Sequence, residues 1–143
     1  MVAKKYILCA CYEGDFDINS HEIVCVGTKK NIREYVKSMR FSTKHSSNEI
    51  IKQLFKDTYC EINCEIMFNL LEHHVGYCVM AFCPGGFNEL KWMSNEEEAL
   101  KKYESTVEEL KKNTDDEYVY TIKLYQIFGD KFTELCDDIA PYR

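Results

Sequence analysis

The fold that this sequence predicts is decided by the stretch from Gly76 to Lys112, GYCVMAFCPGGFNELKWMSNEEEALKKYESTVEELKK. It begins with a nearly continuous apolar run, and the turn sequence CPGG separates that run from the return arm FNELKW. Ser94 precedes Glu97 by three positions, which is the spacing of a capping box, and apolar residues then recur at helical spacing as far as Leu110. The stretch therefore predicts a strand, a turn, a second strand and a capped helix.

The same order of elements is predicted near the N-terminus, where a hairpin with a long loop precedes a short helix that Thr28 can cap. Four residues of this first hairpin region recur in the second at one constant offset. The chain is therefore predicted to contain a partly duplicated strand-turn-strand-helix unit. The four pairs are Tyr6 and Tyr77, Ala10 and Ala81, Gly14 and Gly85, and Phe16 and Phe87.

The segment from Cys60 to Leu70, within residues 58–72, fits two secondary structures. Its even positions are apolar and most of its odd positions are polar, which is typical of a strand. The polar residues Glu61, Glu65 and Asn69 also lie at helical spacing, and Met and Leu favour helices. We expect a helix here, with a strand as the alternative.

The remaining elements are predicted from capping and alternation. Ser46 or Ser47 can cap a helix that follows the polar segment FSTKHSS. Residues 118–127 are rich in Tyr, Val, Thr and Ile and predict a long strand. A Gly-Asp turn can then return the chain as a last strand at residues 132–136.

These elements define the expected architecture. A chain of 143 residues fits one domain with a core of its own. Hairpins followed by helices, without a repeating strand-helix-strand alternation, indicate the α+β class. We therefore expect a single α+β domain over residues 1–143, with about six strands in a largely antiparallel sheet and two to three helices.

The net charge of −6 bears on the partners of the protein. Proteins that bind nucleic acids usually cluster Lys and Arg, so the acidic balance argues against direct nucleic-acid binding and favours a basic partner surface. The 45% apolar and 13% aromatic content is typical of a packed globular protein.

A membrane span and a signal-peptide core are both missing from the pattern of the first residues, MVAKKYILCACYEGD, so we expect a cytoplasmic protein without a membrane partner.

The cysteines and histidines are the first candidates for chemistry. In a reducing cytosol most of the eight Cys residues are expected to be free and buried. Six residues can ligate zinc, but they form no Cys-x-x-Cys knuckle, so we expect neither a metal site nor another cofactor. Cys83, beside the glycine turn, is the best nucleophile, yet no family signature surrounds it and no catalytic residue is assigned. The six residues are Cys60, Cys64, His73, His74, Cys78 and Cys83.

Acidic residues of the helix predicted after Ser94, and of the segment that follows it, form the predicted binding surface. Those of the first turn are also explained by the helix dipole, which stabilises carboxylates at a helix N-terminus. Together with later acids they can present a negative surface that competes for a positively charged channel, although lysines are interspersed. The predicted surface comprises Glu96, Glu97, Glu98, Glu104, Glu108, Asp115, Asp116 and Glu117.

The aromatic residues provide a second lead. Ten Tyr and eight Phe residues are more than a small core readily absorbs, and Tyr is enriched at protein interfaces and in pockets that stack bases. A homodimer is one expected use of this surplus. The alternative is a nucleotide-binding module in which tyrosines stack on the base and Gly85 and Gly86 contact phosphate through their N–H groups.

In its Lys-, Glu-, Asn-, Ile- and Tyr-rich composition and in units such as LKWMSNEEEALKKYE, the chain resembles small accessory proteins encoded by phages and mobile elements. That group includes anti-CRISPR inhibitors and proteins that sequester nucleotide signals, so the resemblance implies binding rather than catalysis. It carries over no functional residue. We therefore expect a non-enzymatic binding protein that occupies a surface of a host protein, for example as an inhibitor of a defence factor, with a small-molecule or nucleotide-binding module that sequesters a signal as the alternative.

Overall fold

The computed structural model describes residues 4–13, 19–83, 86–112 and 120–140. Eight strands and three helices are formed within these residues. In chain order they are β1 (Lys5–Glu13), β2 (Asn19–Thr28), α1 (Lys29–Ser38), α2 (Ser47–Asp57), β3 (Tyr59–Glu61), β4 (Ile66–Glu72), β5 (Gly76–Cys83), β6 (Gly86–Met93), α3 (Glu96–Lys112), β7 (Tyr120–Phe128) and β8 (Lys131–Ala140).

Contacts within the chain define two compact units, of which the first comprises residues 1–12 and 21–73. Its four-stranded sheet has the order β2-β1-β4-β3, and β1 runs antiparallel to β4 with Leu8 opposite Leu70. Alternate residues of a strand point to the same face, and on this face Leu8 and Ala10 pack into a core shared with α1 and α2. The core also contains Ile32, Val36, Ile50, Ile51, Leu54, Cys60, Ile62 and Phe68.

Both helices of the first unit begin where capping residues predict. Thr28 is the N-cap of α1, and the Asn31 side-chain oxygen accepts hydrogen bonds from the Thr28 backbone N–H at 2.9 Å and from its hydroxyl at 2.8 Å. The Ser46 hydroxyl accepts the Glu49 N–H at 3.2 Å and caps α2. The predictions for Thr28 and Ser46 are confirmed.

The prediction of a helix between Cys60 and Leu70 is wrong, because this segment forms β3 and β4. Thr58 adopts a left-handed backbone conformation, with a φ of 67°, and ends α2 immediately before β3. The side-chain oxygen of Asn63 then accepts the N–H groups of Glu65 at 2.8 Å and Ile66 at 3.0 Å, which stabilises the turn between the two strands. The helix end at Thr58 and the turn at Asn63 therefore decide between a helix and two strands, which the hydrophobic pattern alone does not distinguish.

The second unit comprises residues 13–20 and 74–143 and has a sheet of order β6-β5-β7-β8. β5 lies between β6 and β7 and is antiparallel to both. One face of the sheet packs against α3, whose buried residues recur at helical spacing. This core contains Val79, Ala81, Ala99, Tyr103, Val107, Leu110, Tyr120, Ile122 and Leu124.

The long helix α3 begins one residue later than a Ser94 cap implies. The Asn95 side-chain oxygen accepts the Glu98 N–H at 2.8 Å, and the Asn95 carbonyl accepts the first helical hydrogen bond from Ala99 at 3.2 Å. Asn and Ser are about equally good N-caps, so adjacent Ser and Asn residues leave the choice open at the level of sequence. The prediction of Ser94 as the cap is wrong, and the helix extends to Lys112.

A single sheet of about six strands is not what the chain forms. The described residues build eight strands in two four-stranded sheets, because residues 66–72 add a strand beside β1 and residues 59–61 add another beside β4. The α+β class, the antiparallel strand pairing and the three helices agree with the prediction. Each sheet starts with a hairpin that is followed by a helix. Within the repeat, Gly14, Phe16 and Gly85 lie outside the described residues.

None of the helices in the described ranges combines the length and the apolar character that crossing a lipid bilayer requires.

Candidate anion-binding groove

A groove of about 390 Å³ lies between α1 and α2 in the first unit. This volume falls in the range of about 300–1,000 Å³ that is typical of small-ligand sites. Four of its seven lining residues are cationic. The lining consists of Lys29, Arg33, Asn48, Ile51, Lys52, Phe55 and Lys56.

Helical spacing explains why these cations converge. Lys29 and Arg33 are four residues apart on α1, and Lys52 and Lys56 are four residues apart on α2. Residues at this spacing lie on one helix face, about 6 Å apart along the axis. The apolar face of each helix packs on the sheet, so both basic rows border the same groove.

An aromatic side chain, Phe55, forms part of the groove wall. Its half-buried ring meets the Tyr6 ring edge to face, with centroids 5.2 Å apart. The Lys29 ammonium nitrogen lies 4.8 Å from the Phe55 ring centroid, within the range of a cation–π interaction. Ile51, which is buried, lies one helical turn before Phe55 and extends this apolar wall.

The groove cations are exposed and keep their charge available for a ligand. In the part of the chain that the structure describes, no carboxylate forms an ion pair with Lys29, Arg33, Lys52 or Lys56. Lys4 differs, because its ammonium lies 2.9 Å from the Glu72 carboxylate and this hydrogen bond raises the pKa of Lys4. Four like charges in one small groove repel one another, and an anion between them relieves that repulsion.

Charge is distributed unevenly between the two units. The first contains ten Lys and Arg residues and seven Asp and Glu residues, for a net charge of +3. The second contains eight and seventeen, for a net charge of −9. The net charge of −6 for the whole chain therefore conceals a basic unit, and the cationic groove belongs to it.

A second cavity of about 420 Å³ is lined by residues 42–45 and 61–64. Asn63 connects these two segments by donating a side-chain N–H to the Ser42 carbonyl at 2.8 Å. The lining contains both Lys44 and Glu61, as well as the exposed thiol of Cys64. Its mixed charge selects no class of ligand, unlike the uniformly basic groove.

Five of the eight predicted acidic site residues lie on α3. Glu96, Glu97 and Glu98 occupy its first turn and, like Glu104 and Glu108, are exposed. Lysines lie among them, and the Glu97 carboxylate is 3.7 Å from the Lys101 ammonium. The other three predicted residues, Asp115, Asp116 and Glu117, lie outside the described residues.

Four of the seven thiols among the described side chains have the character of core residues. Cys9, Cys11, Cys60 and Cys78 are buried, and burial raises the pKa of Cys11 to about 12 and that of Cys78 further. A protonated thiol is a poor nucleophile and a poor metal ligand. Among the described residues, no group of three or more His, Cys, Asp or Glu side chains has the arrangement of a metal site. The thiol of Cys83 lies outside the described side chains.

The basic groove is the feature that sequence reasoning missed. The sequence does contain a pattern that indicates the two basic rows. Lys29 and Arg33 have the spacing of one helix face, and so do Lys52 and Lys56. Comparison of the chain with protein-family models, with curated proteins and with solved structures gave no match.

Proposed function

We propose that this protein is a non-enzymatic binding protein and that its ligand is a multiply charged anion held in the groove between α1 and α2. The observation that carries this proposal is the convergence of four cationic side chains from two helices on a groove of about 390 Å³. It corresponds to the alternative drawn from the sequence, a small-molecule or nucleotide-binding module. The location differs, since the phosphate contacts come from Lys and Arg side chains rather than from a glycine turn.

The exposure of the cations determines which anions bind. An exposed ion pair contributes only about 0–1 kcal/mol, so an anion that meets one lysine gains little. A ligand that contacts both helices engages several cations at once, and Arg33 can bind two oxygens of one group through its planar guanidinium. The groove therefore favours ligands with several linked negative charges over monovalent anions.

Isothermal titration calorimetry with inorganic tripolyphosphate tests this proposal. We expect saturable binding that weakens as the salt concentration rises, because screening acts on exposed charges. Lys52→Glu should lower the affinity at least about tenfold, since it replaces an attractive charge by a repulsive one. The matched control is Lys101→Glu, an equally drastic change at an exposed helix position outside the groove.

The control should bind like the wild-type protein once the small change in net charge is allowed for. Equal losses in both variants would show that net charge, and not the groove, governs binding. Absence of any tripolyphosphate binding to the wild-type protein at low salt would refute the proposal.

A second candidate function is the one that the sequence favoured, occupation of a partner-protein surface, with inhibition of that partner as the outcome. Its support is the net charge of −9 on the second unit and the exposed carboxylates of α3. Three of them, Glu97, Glu104 and Glu108, lie close to one helix face by their spacing. A basic protein surface is the complementary partner.

Charge reversal on α3 tests this second candidate. The tagged protein is used to isolate partners, and the triple variant Glu97→Lys, Glu104→Lys and Glu108→Lys should lose any partner that depends on this face. A variant with Lys52→Glu should retain that partner. A partner held equally by the wild-type protein and the α3 variant would exclude this face as the binding surface.

A further inference from the structure

The groove combines basic and aromatic surfaces. A ligand that matches both needs an apolar or aromatic part as well as negative charge. Arg33, Lys52 and Lys56 provide cations, whereas Phe55 and Ile51 provide an apolar wall. Phe55 follows Lys52 by three residues, a spacing that makes the two side chains neighbours on α2, and Lys56 lines the same groove. A ligand that fills the groove therefore meets charge and an aromatic ring together.

Building on the proposed function, we infer that the anion is a nucleotide, with its phosphates at Arg33, Lys52 and Lys56 and its base stacked on Phe55. In the structure the Lys29 ammonium covers this ring, with its nitrogen 4.8 Å from the centroid. Lys29 is exposed and its side chain is long and flexible. On nucleotide binding it moves from the ring to a phosphate oxygen, which uncovers the ring for the base.

The exchange at Lys29 is favourable on chemical grounds. An exposed cation–π contact is weak, so Lys29 loses little when it leaves the ring, and a phosphate chain with several negative charges offers its ammonium a charge-assisted hydrogen bond. Stacking of a base on an aromatic ring then replaces the contact that the ring has lost. Asn48, which also lines the groove, supplies both a donor and an acceptor and can bond to the edge of a base.

The apolar wall and the size of the groove favour a free nucleotide over two other kinds of phosphate ligand. Inorganic phosphate or polyphosphate leaves the Phe55 and Ile51 wall without a partner. A nucleic-acid strand extends beyond a groove of about 390 Å³ and needs cations along its whole path. A nucleotide uses both surfaces within one site.

The test compares inorganic tripolyphosphate, ATP, GTP and a short oligothymidylate by calorimetry on the full-length protein, without added divalent metal. Tripolyphosphate has the charge of a nucleotide but no base. We expect at least one nucleoside triphosphate to bind roughly five- to 150-fold more tightly than tripolyphosphate, the range given by one stacked base. Phe55→Leu should abolish this advantage, so that the variant binds the nucleoside triphosphates and tripolyphosphate about equally.

A second variant keeps the test decisive if Phe55→Leu does not fold, since Phe55 also packs against Tyr6. Lys29→Gln uncovers the ring and removes one phosphate contact. It should weaken tripolyphosphate and ATP binding, while the ratio between the two affinities stays the same or increases. A ratio that falls to one in Lys29→Gln would overturn the stacking role of Phe55.

The remaining outcomes separate this inference from the proposed function. Equal binding of tripolyphosphate and both nucleotides by the wild-type protein would overturn the nucleotide inference and leave the anion-binding function intact. Oligothymidylate binding that is tighter than the binding of both nucleotides would overturn it in favour of a nucleic-acid strand. Failure of every anion to bind would overturn both.

Discussion

At the scale of single residues, the start of β5 depends on a backbone conformation that only glycine adopts easily. Gly76 has a φ of +126°, which lies outside the left-handed helical region that other residues tolerate. A Cβ atom at this position would lie 2.5 Å from the Met93 carbonyl oxygen, on the neighbouring strand β6. The first residue of the central strand is therefore fixed both by its dihedral angle and by its neighbour.

We expect Gly76→Ala to lower the free energy of unfolding by about 2 kcal/mol or more, because backbone strain and a backbone clash act together. The matched variant is Gly129→Ala. Gly129 has a φ of +63°, within the left-handed region, and among the described residues other than its two chain neighbours no atom lies within 4 Å of the position that a Cβ would take. That substitution should cost only about 1 kcal/mol. Urea unfolding of both variants measures the difference, and similar losses would contradict this account of Gly76.

At the scale of elements, local hydrogen bonds decide what hydrophobic patterns leave open. Periodicity predicted α1, α2, α3 and the two hairpins, because their buried faces are regular. It failed between Cys60 and Leu70, where helical and strand spacing are both satisfied and the outcome depends on Thr58 and Asn63. The groove escaped prediction for a different reason: each basic row is visible in the sequence, but their approach depends on how α1 and α2 pack.

The cap of α2 provides a prediction at this scale. Ser46→Ala removes the acceptor of the Glu49 N–H, and we expect a loss of about 0.5–2 kcal/mol in the free energy of unfolding. Ser47→Ala, one position inside the helix, should change it by less than about 0.5 kcal/mol. Chemical denaturation of the two variants is the measurement. Equal effects would mean that the hydroxyl of Ser46 does not cap the helix.

At the scale of the whole molecule, bulk charge is a poor guide to binding surfaces. The net charge of −6 argues against direct nucleic-acid binding, yet the first unit carries a net charge of +3 and a groove with four cations. Composition averages over both units, whereas a ligand senses charges within about 10 Å, the screening length at moderate salt. The oligothymidylate titration tests the prediction that the protein does not bind nucleic acid directly.

Buried thiols are expected to lower the free energy of unfolding as the pH rises into the alkaline range. Burial raises the pKa of Cys11 from 9.0 to about 12, so the unfolded chain loses this proton at a lower pH than the folded protein does. The stabilisation is therefore complete below pH 9 and is lost as the pH rises towards 12. Each such thiol contributes at most about 1.4 kcal/mol per pH unit to the decline.

Urea unfolding at several pH values between 8.5 and about 11 measures this decline. Cys11→Ala should reduce the slope of the free energy of unfolding against pH. Ile7→Val is the control, because it creates a small defect among buried residues of the same strand without removing a titrating group. An unchanged slope in Cys11→Ala would show that the thiol does not couple to folding.

The irregular pairing of β8 has a consequence for the behaviour of the protein at high concentration. β8 is a ten-residue strand at the edge of its sheet, and such edges can recruit extended segments of other chains into cross-β aggregates. Leu124 pairs with Cys136 and Tyr125 with Glu134, so Leu135 is an extra residue that breaks the ladder midway. A broken ladder is a poor template for another strand. Copies of this chain that meet at this edge are therefore expected to do so through side chains, and the edge is protected against fibril growth.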